Sequence, residues 1–166
     1  MIIPDHYYDS VFLIPYEELW KNNIRGIIFD IDNTLTAFDE KLPPPKIVEL
    51  IKKLELMGFK ICLVTNNTGK RLRGFNEHMS IFGIANALKP FTRGLRQAMA
   101  KMETTPAQTM IVGDQLLSDI WGGKNAGITT VLVKPITDRD FIFVKIKRKI
   151  ERVMLRKFFA ERGITP

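Results

Sequence analysis

The sequence predicts an α/β fold, a three-layer open sheet of mainly parallel strands. Two observations predict it. Four short runs rich in Ile and Val lack polar–apolar alternation, as strands buried on both faces do. Amphipathic helical stretches separate them, and strand–helix–strand series close by right-handed crossovers. A third observation bears on function: the strand ends carry acids, a Thr-Asn pair and a lysine.

The elements follow in order. Residues 1–24 read as an N-terminal extension packed on the sheet, with Pro15 opening a short helix over Tyr16 to Asn22. Its aromatics Tyr7, Tyr8, Phe12 and Trp20 read as core cover. Arg25 to Asp30 is the first strand. Pro43-Pro44-Pro45 starts a helix whose stripe is Ile47, Leu50, Ile51, Leu54 and Met57, and Gly58 stops it. Lys60 to Thr65 is the second strand. A helix is expected over Thr68 to Phe82, a minor strand near Ile84 to Leu88, and a helix over Thr92 to Met102. Thr109 to Asp114 is a strand, Ser118 to Asn125 a helix closed by Gly127, and Thr129 to Val133 a strand. Residues 25–135 form the expected catalytic core of one domain spanning 1–166. No internal repeat or long linker divides it.

Composition narrows the class. The chain has 166 residues, 45% hydrophobic and 26% charged, which excludes a disordered tail, a collagen-like fibre and a disulfide-rich scaffold. The lone cysteine, Cys62, has no partner for a disulfide, lies in an apolar strand and reads as inert core. His6 and His78 share no ligand spacing and read as structural. No apolar run reaches the ~18 residues of a membrane span. A single cysteine points to a reducing compartment, so the expected location is cytoplasmic, and Met1 to His6 lacks the features of a signal peptide.

Charge is uneven. Residues 1–133 hold 15 basic and 14 acidic side chains, and residues 134–166 hold 10 and 4. From Asp140 to Arg162 runs a stretch without Pro or Gly. Phe143, Ile146, Ile150, Val153, Met154 and Phe158 recur at helical spacing, and Lys145, Lys149, Arg152 and Arg156 line another face. This is a basic amphipathic helix over residues 140–162. Through residues 141–162 it could lie on an anionic membrane surface, at the inner face, or pack its stripe on the sheet with its charges in water.

In open α/β sheets ligands bind beyond the carboxyl ends of the strands. Asp30-Ile31-Asp32-Asn33-Thr34-Leu35, Thr65-Asn66-Asn67, Lys89-Pro90 and Gly113-Asp114 with Asp119 all fall there. Converging carboxylates repel unless a cation neutralises them, and hard oxygen ligands suit Mg²⁺. A hydroxyl, backbone N–H groups at a helix start and a lysine suit phosphate oxygens. Neither an EF-hand nor a dinucleotide fold fits: position six of such a calcium loop is Leu35, and no Gly-x-Gly-x-x-Gly follows the first strand.

These four motifs, in this order, resemble those of the haloacid dehalogenase (HAD) superfamily of phosphohydrolases. The Asp32-Asn33 doublet and the short fourth motif are similar to its subfamily IIIA. Length and the run Gly113-Asp114-Gln115-Leu116-Leu117-Ser118-Asp119 resemble the YqeG family, which is related to phosphatidylglycerophosphate phosphatases. The resemblance implies Asp30 as a nucleophile forming an aspartyl-phosphate and Asp32 as acid and base. It implies Thr65, Asn66 and Lys89 as phosphate binders. It implies Asp30, the Asp32 carbonyl and Asp114 as Mg²⁺ ligands, with Asp119 acting through them or through water.

Spacing bears on substrate. Seven residues separate Leu35 from Pro43 and 23 separate Thr65 from Lys89, too few for a cap domain at either place. The open site expected suits a phosphate presented on a larger surface, with phosphatidylglycerophosphate favoured. The alternatives are a phosphatase for a soluble sugar or nucleotide phosphate, roofed by a second subunit, and a non-catalytic RNA- or protein-binding module using the basic helix. Nucleic acid is the less favoured partner, and the spacing leaves the oligomeric state open.

Overall fold

The structure, a computed structural model, describes residues 2–137 together with 151, 153, 154, 156, 159, 160 and 163. Six strands form one parallel sheet: β1 (His6–Tyr8), β2 (Gly26–Phe29), β3 (Lys60–Val64), β4 (Phe82–Ile84), β5 (Thr109–Gly113) and β6 (Thr129–Val133). Their spatial order is β1-β6-β5-β2-β3-β4. Within residues 2–137 the α-helices are α1 (Tyr16–Lys21), α2 (Pro45–Leu56), α3 (Gly69–Asn76), α4 (Arg93–Met102) and α5 (Trp121–Ala126).

The non-alternating runs are buried for the expected reason. Every residue of β2 and β5 is buried. Successive side chains point to opposite faces. Ile27 and Phe29 therefore join the cluster of Ile47, Ile51, Leu54, Leu72 and Phe75 from α2 and α3. Ile28 joins Leu95, Ala98, Met99 and Met102 from α4 on the other face. Two helical layers thus enclose the sheet.

Four expectations need correction. The helix after β3 ends at Asn76, well before Phe82. The Asn76 side chain accepts from the Ile81 N–H at 3.0 Å and donates to the Ile81 carbonyl, turning the chain into β4. Ser80 takes a positive φ of 56° in that turn. The minor strand consequently lies at Phe82–Ile84, not near Ile84 to Leu88. The N-terminal segment does more than cover the sheet: His6–Tyr8 adds a sixth strand beside β6. Of the four aromatics expected to cover the core, Tyr7, Tyr8 and Trp20 pack against it, whereas Phe12 is exposed. The helix after β5 also begins earlier than Ser118, as a π-helical turn over Leu116–Ile120 that runs into α5.

Gly58 ends α2 at φ 99°, and a Cβ there would meet Trp20 Cη2 at 2.8 Å, so turn and packing both require glycine. Apart from 151, 153, 154, 156, 159 and 160, which are helical, the basic helix expected over 140–162 lies outside the described residues. Phe159 packs among Leu116, Ile120 and Leu132 and meets Tyr7 edge to face at 5.2 Å. Glu151 Oε1 accepts from the Leu117 N–H at 2.9 Å.

Candidate active site

Strand order places the site. From β2 the chain winds outward through β3 and β4, and from β5 it winds the other way through β6. The direction reverses between β2 and β5, where a crevice opens at the carboxyl ends. Asp30 follows β2 and Asp114 follows β5, one on each side of it. The Asp30 N–H still donates to the Val112 carbonyl at 3.0 Å, so Asp30 is held by the sheet rather than by a loop.

Lys89 arrives from the loop after β4 and is buried. Its Nζ donates to Asp30 Oδ1 and to the Val64 carbonyl, each at 2.7 Å. It also pairs with Asp119 Oδ1 at 2.7 Å. Burial alone would lower this ammonium's pKa; Asp119 and Asp30 on either side reverse that and hold it above its ordinary value. Burial, opposed by Lys89 and aided by Asp119 and Asp32, pushes Asp30 up to about 7.

Asp30, Asp114 and Asp119 can each direct one oxygen into a common space, those atoms lying within 4.8 Å of one another. All three are buried. Asp114 Oδ1 accepts from Thr34 Oγ1 at 3.1 Å, and Asp119 Oδ2 accepts from the Gln115 N–H at 3.1 Å. The oxygens of these three buried carboxylates fit a hard divalent cation. Gly113 makes room for this: a Cβ there would sit 2.3 Å from Asp119 Cγ.

Asp32 lies apart from that cluster. Its Oδ1 accepts from Arg71 Nε at 2.9 Å and its Oδ2 from Asn67 Nδ2 at 3.0 Å. Arg71 Nη1 donates to the Lys41 carbonyl at 3.0 Å, fastening the short flap after β2 to α3. Asn33 sits in the left-handed region at φ 62°, and an isolated bridge between Asp32 and Thr36 shapes the flap.

Thr65 is buried at the end of β3, and its Oγ1 accepts from the Asn67 N–H at 3.0 Å. The Asn66 side chain is committed to Lys89. It donates to the Lys89 carbonyl at 3.0 Å and accepts from the Lys89 N–H at 2.7 Å. It thus clamps the loop that carries the lysine. Of the expected residues, Asp30, Lys89, Asp114 and Asp119 come together, Asp32 is held beside them by Arg71 and Asn67, and Asn66 holds the loop that carries Lys89.

Sequence reasoning missed Arg71, Asn67 and the bond from Thr34 to Asp114. One signal was available. Thr68 caps α3, its Oγ1 accepting from the Arg71 N–H at 3.3 Å, so Arg71 had to lie in the first turn at the carboxyl edge. Cys62 is the buried, inert residue expected, its thiol pushed up to about 12 by burial.

Known proteins are similar to this chain. The family described as "HAD-hyrolase-like" matches residues 87–137. The protein named "Probable phosphatase YqeG" of Bacillus subtilis (strain 168) is 34% identical, across 92% of this chain and 89% of its own. The chain belongs to the YqeG family of HAD-like phosphatases. A phosphatidylglycerophosphate phosphatase 1 of Arabidopsis thaliana is 24% identical across 92% of this YqeG-family chain, which spans only 47% of that relative's length. Among solved structures, the cobalt-bound deoxy-D-mannose-octulosonate 8-phosphate phosphatase YrbI of Haemophilus influenzae shares the fold. Its TM-score is 0.58 at 18% identity, covering 81% of this chain and 89% of that one. The YqeG-family chain is thus a HAD-type phosphatase, a phosphoric monoester hydrolase.

Proposed function

We propose that the chain hydrolyses a phosphomonoester through an aspartyl-phosphate on Asp30, assisted by Mg²⁺, and that its favoured substrate is phosphatidylglycerophosphate. The observation carrying this reading is Lys89, buried between Asp30 and Asp119 beside Asp114 at the sheet's topological switch point.

Asp30 attacks phosphorus, forming the carboxyl–phosphoryl bond as the bond to the leaving alkoxide breaks. Asp32 delivers a proton to that alkoxide. The carboxylate so generated takes a proton from water as its oxygen attacks the aspartyl-phosphate, releasing inorganic phosphate and restoring Asp30. Arg71 and Asn67 hold both oxygens of Asp32, which fixes its aim. Lys89 keeps Asp30 oriented and offers positive charge to phosphate oxygens, with Thr65 and the start of α3 beside it. Asp30, Asp114 and the main-chain carbonyl of Asp32 would hold Mg²⁺, which supplies charge neutralisation for the transferring group. Asp119, engaged by Lys89 and the Gln115 N–H, acts from outside that set.

The lipid substrate has two supports: the Arabidopsis relative, and the rim of the site. Leu42 in the flap, and Leu88 and Phe91 flanking Lys89 and Pro90, are 53%, 66% and 72% exposed. Between Leu35 and Pro43, and between Thr65 and Lys89, the chain forms only the flap, α3 and β4, with no cap to enclose a small molecule. No described helix is long and apolar enough to cross a membrane.

The test is release of inorganic phosphate from lipid and soluble phosphomonoesters, with and without Mg²⁺, by wild type and Asp30→Asn. Mg²⁺-dependent release from phosphatidylglycerophosphate that Asp30→Asn abolishes is the expected result. Release from sugar or nucleotide phosphates alone would sink the lipid assignment. No release from any monoester would sink the catalytic one.

A further inference from the structure

A cavity of about 650 Å³ lies between the flap and α3, lined by Lys41, Thr68, Lys70, Arg71, Arg73, Gly74 and Glu77. Four of these side chains are basic and one is acidic. Among the described residues no carboxylate pairs with Lys41, Lys70 or Arg73. Such a concentration of like charge gives the cavity a positive potential that attracts an anion.

Arg71 ties the cavity to the chemistry. One nitrogen of its guanidinium holds Asp32 and a second holds the Lys41 carbonyl. The third, Nη2, is buried without a hydrogen-bond partner. A buried guanidinium nitrogen left in that state costs free energy, which a ligand oxygen would recover. Gly74 supplies room: a Cβ built on it has nothing within 4 Å.

We propose that this cavity is a second oxyanion subsite. It holds a further anionic group of the substrate, a phosphodiester or a carboxylate, while the scissile phosphomonoester lies at Asp30. The inference deepens the phosphatase reading and rests on it. It specifies the substrate class: a phosphomonoester with a second negative charge on the same molecule. Arg71 both lines the cavity and holds Asp32, so one side chain couples recognition to placement of the acid–base group.

The experiment uses the full chain and four substrates: glycerol 3-phosphate, 3-phosphoglycerate, glycerophosphoglycerophosphate and phosphatidylglycerophosphate in vesicles. The readout is kcat/KM for each doubly anionic substrate divided by that for glycerol 3-phosphate. In wild type this ratio exceeds tenfold for at least one of them. In Lys70→Ala/Arg73→Ala it falls about tenfold or more, the scale of a lost charge-assisted contact. In Gly74→Leu, which keeps every charge and fills the space, it falls similarly. The carboxylate and phosphodiester arms tell which second anion is read, and the vesicle arm separates lipid from free headgroup.

A second measurement is independent of turnover: calorimetric titration of glycerophosphoglycerol, a phosphodiester without a monoester. Wild type binds it, and both variants bind it about tenfold more weakly or worse. Ratios and affinities equal in wild type and both variants overturn the subsite. If wild type hydrolyses no monoester, the phosphatase reading fails and the titration alone decides the subsite: binding lost in both variants upholds it, and absent or unchanged binding overturns it.

Discussion

Replacing Lys89 with Met removes one ammonium and keeps most of the side chain's volume. Three contacts vanish: Asp30 and Asp119 each lose an ion pair at 2.7 Å, and the Val64 carbonyl loses its donor at 2.7 Å. Removing one partner of a buried pair costs roughly 3–5 kcal/mol, because the remaining charge stays buried. At about 2–4 °C per kcal/mol for a chain of this size, melting should fall by roughly 6–20 °C. The loss depends on pH. Asp30 is pushed up to about 7 in the folded protein against an ordinary 3.8. A raised carboxyl contributes stability that is full below the unfolded pKa and is lost as pH rises through the folded one. Without Lys89 the Asp30 pKa rises further, so that loss deepens in the alkaline range. The penalty for Lys89→Met should therefore be greater at about pH 8 than at about pH 5, where Asp30 is protonated in both proteins. The assay is thermal and urea denaturation with EDTA present, since a divalent cation would stand in for the missing ammonium. A penalty below about 1 kcal/mol at the higher pH, or one equal at both, would refute the reasoning.

Three further outcomes are expected. Arg71→Gln frees one oxygen of Asp32 and unfastens the flap, so kcat should drop about 10–100-fold with a shifted pH–rate profile; a changed KM with kcat and profile intact would contradict the positioning role. Gly113→Ala forces a Cβ into the Asp119 carboxylate, so stability should fall by about 1–3 kcal/mol together with phosphate release, as melting curves and a phosphate assay would reveal. Mg²⁺ should raise the melting temperature of wild type more at alkaline than at acid pH, because it competes with the proton on Asp30, and Asp30→Asn should abolish most of that pH dependence; equal shifts in both proteins would count against Asp30 as a ligand.

What the sequence determined by itself follows from local chemistry. The runs around Ile27, Cys62, Met110 and Val131 could only be buried strands, because unbroken apolar residues at that length leave no solvent face. Parallel crossovers then delivered Asp30, Thr65 and Asp114 to one edge. Pro45 and Gly58 bounded α2 through their own backbone preferences. Tertiary structure decided the rest, because the determining partners are far apart in sequence or lie in side chains with several possible uses. β1 is three half-buried residues whose partner strand lies more than 120 positions away, and no local pattern marks it as a strand. Asn76 ended α3 through bonds to Ile81 that any helical pattern would overlook. The use of Asn66 for Lys89, of Arg71 for Asp32 and of Thr34 for Asp114 depends on which side chains meet once the sheet is assembled. Sequence placed the acids at the site; only packing in three dimensions could tell which acid faces the lysine, which faces the arginine, and where a second anion has room.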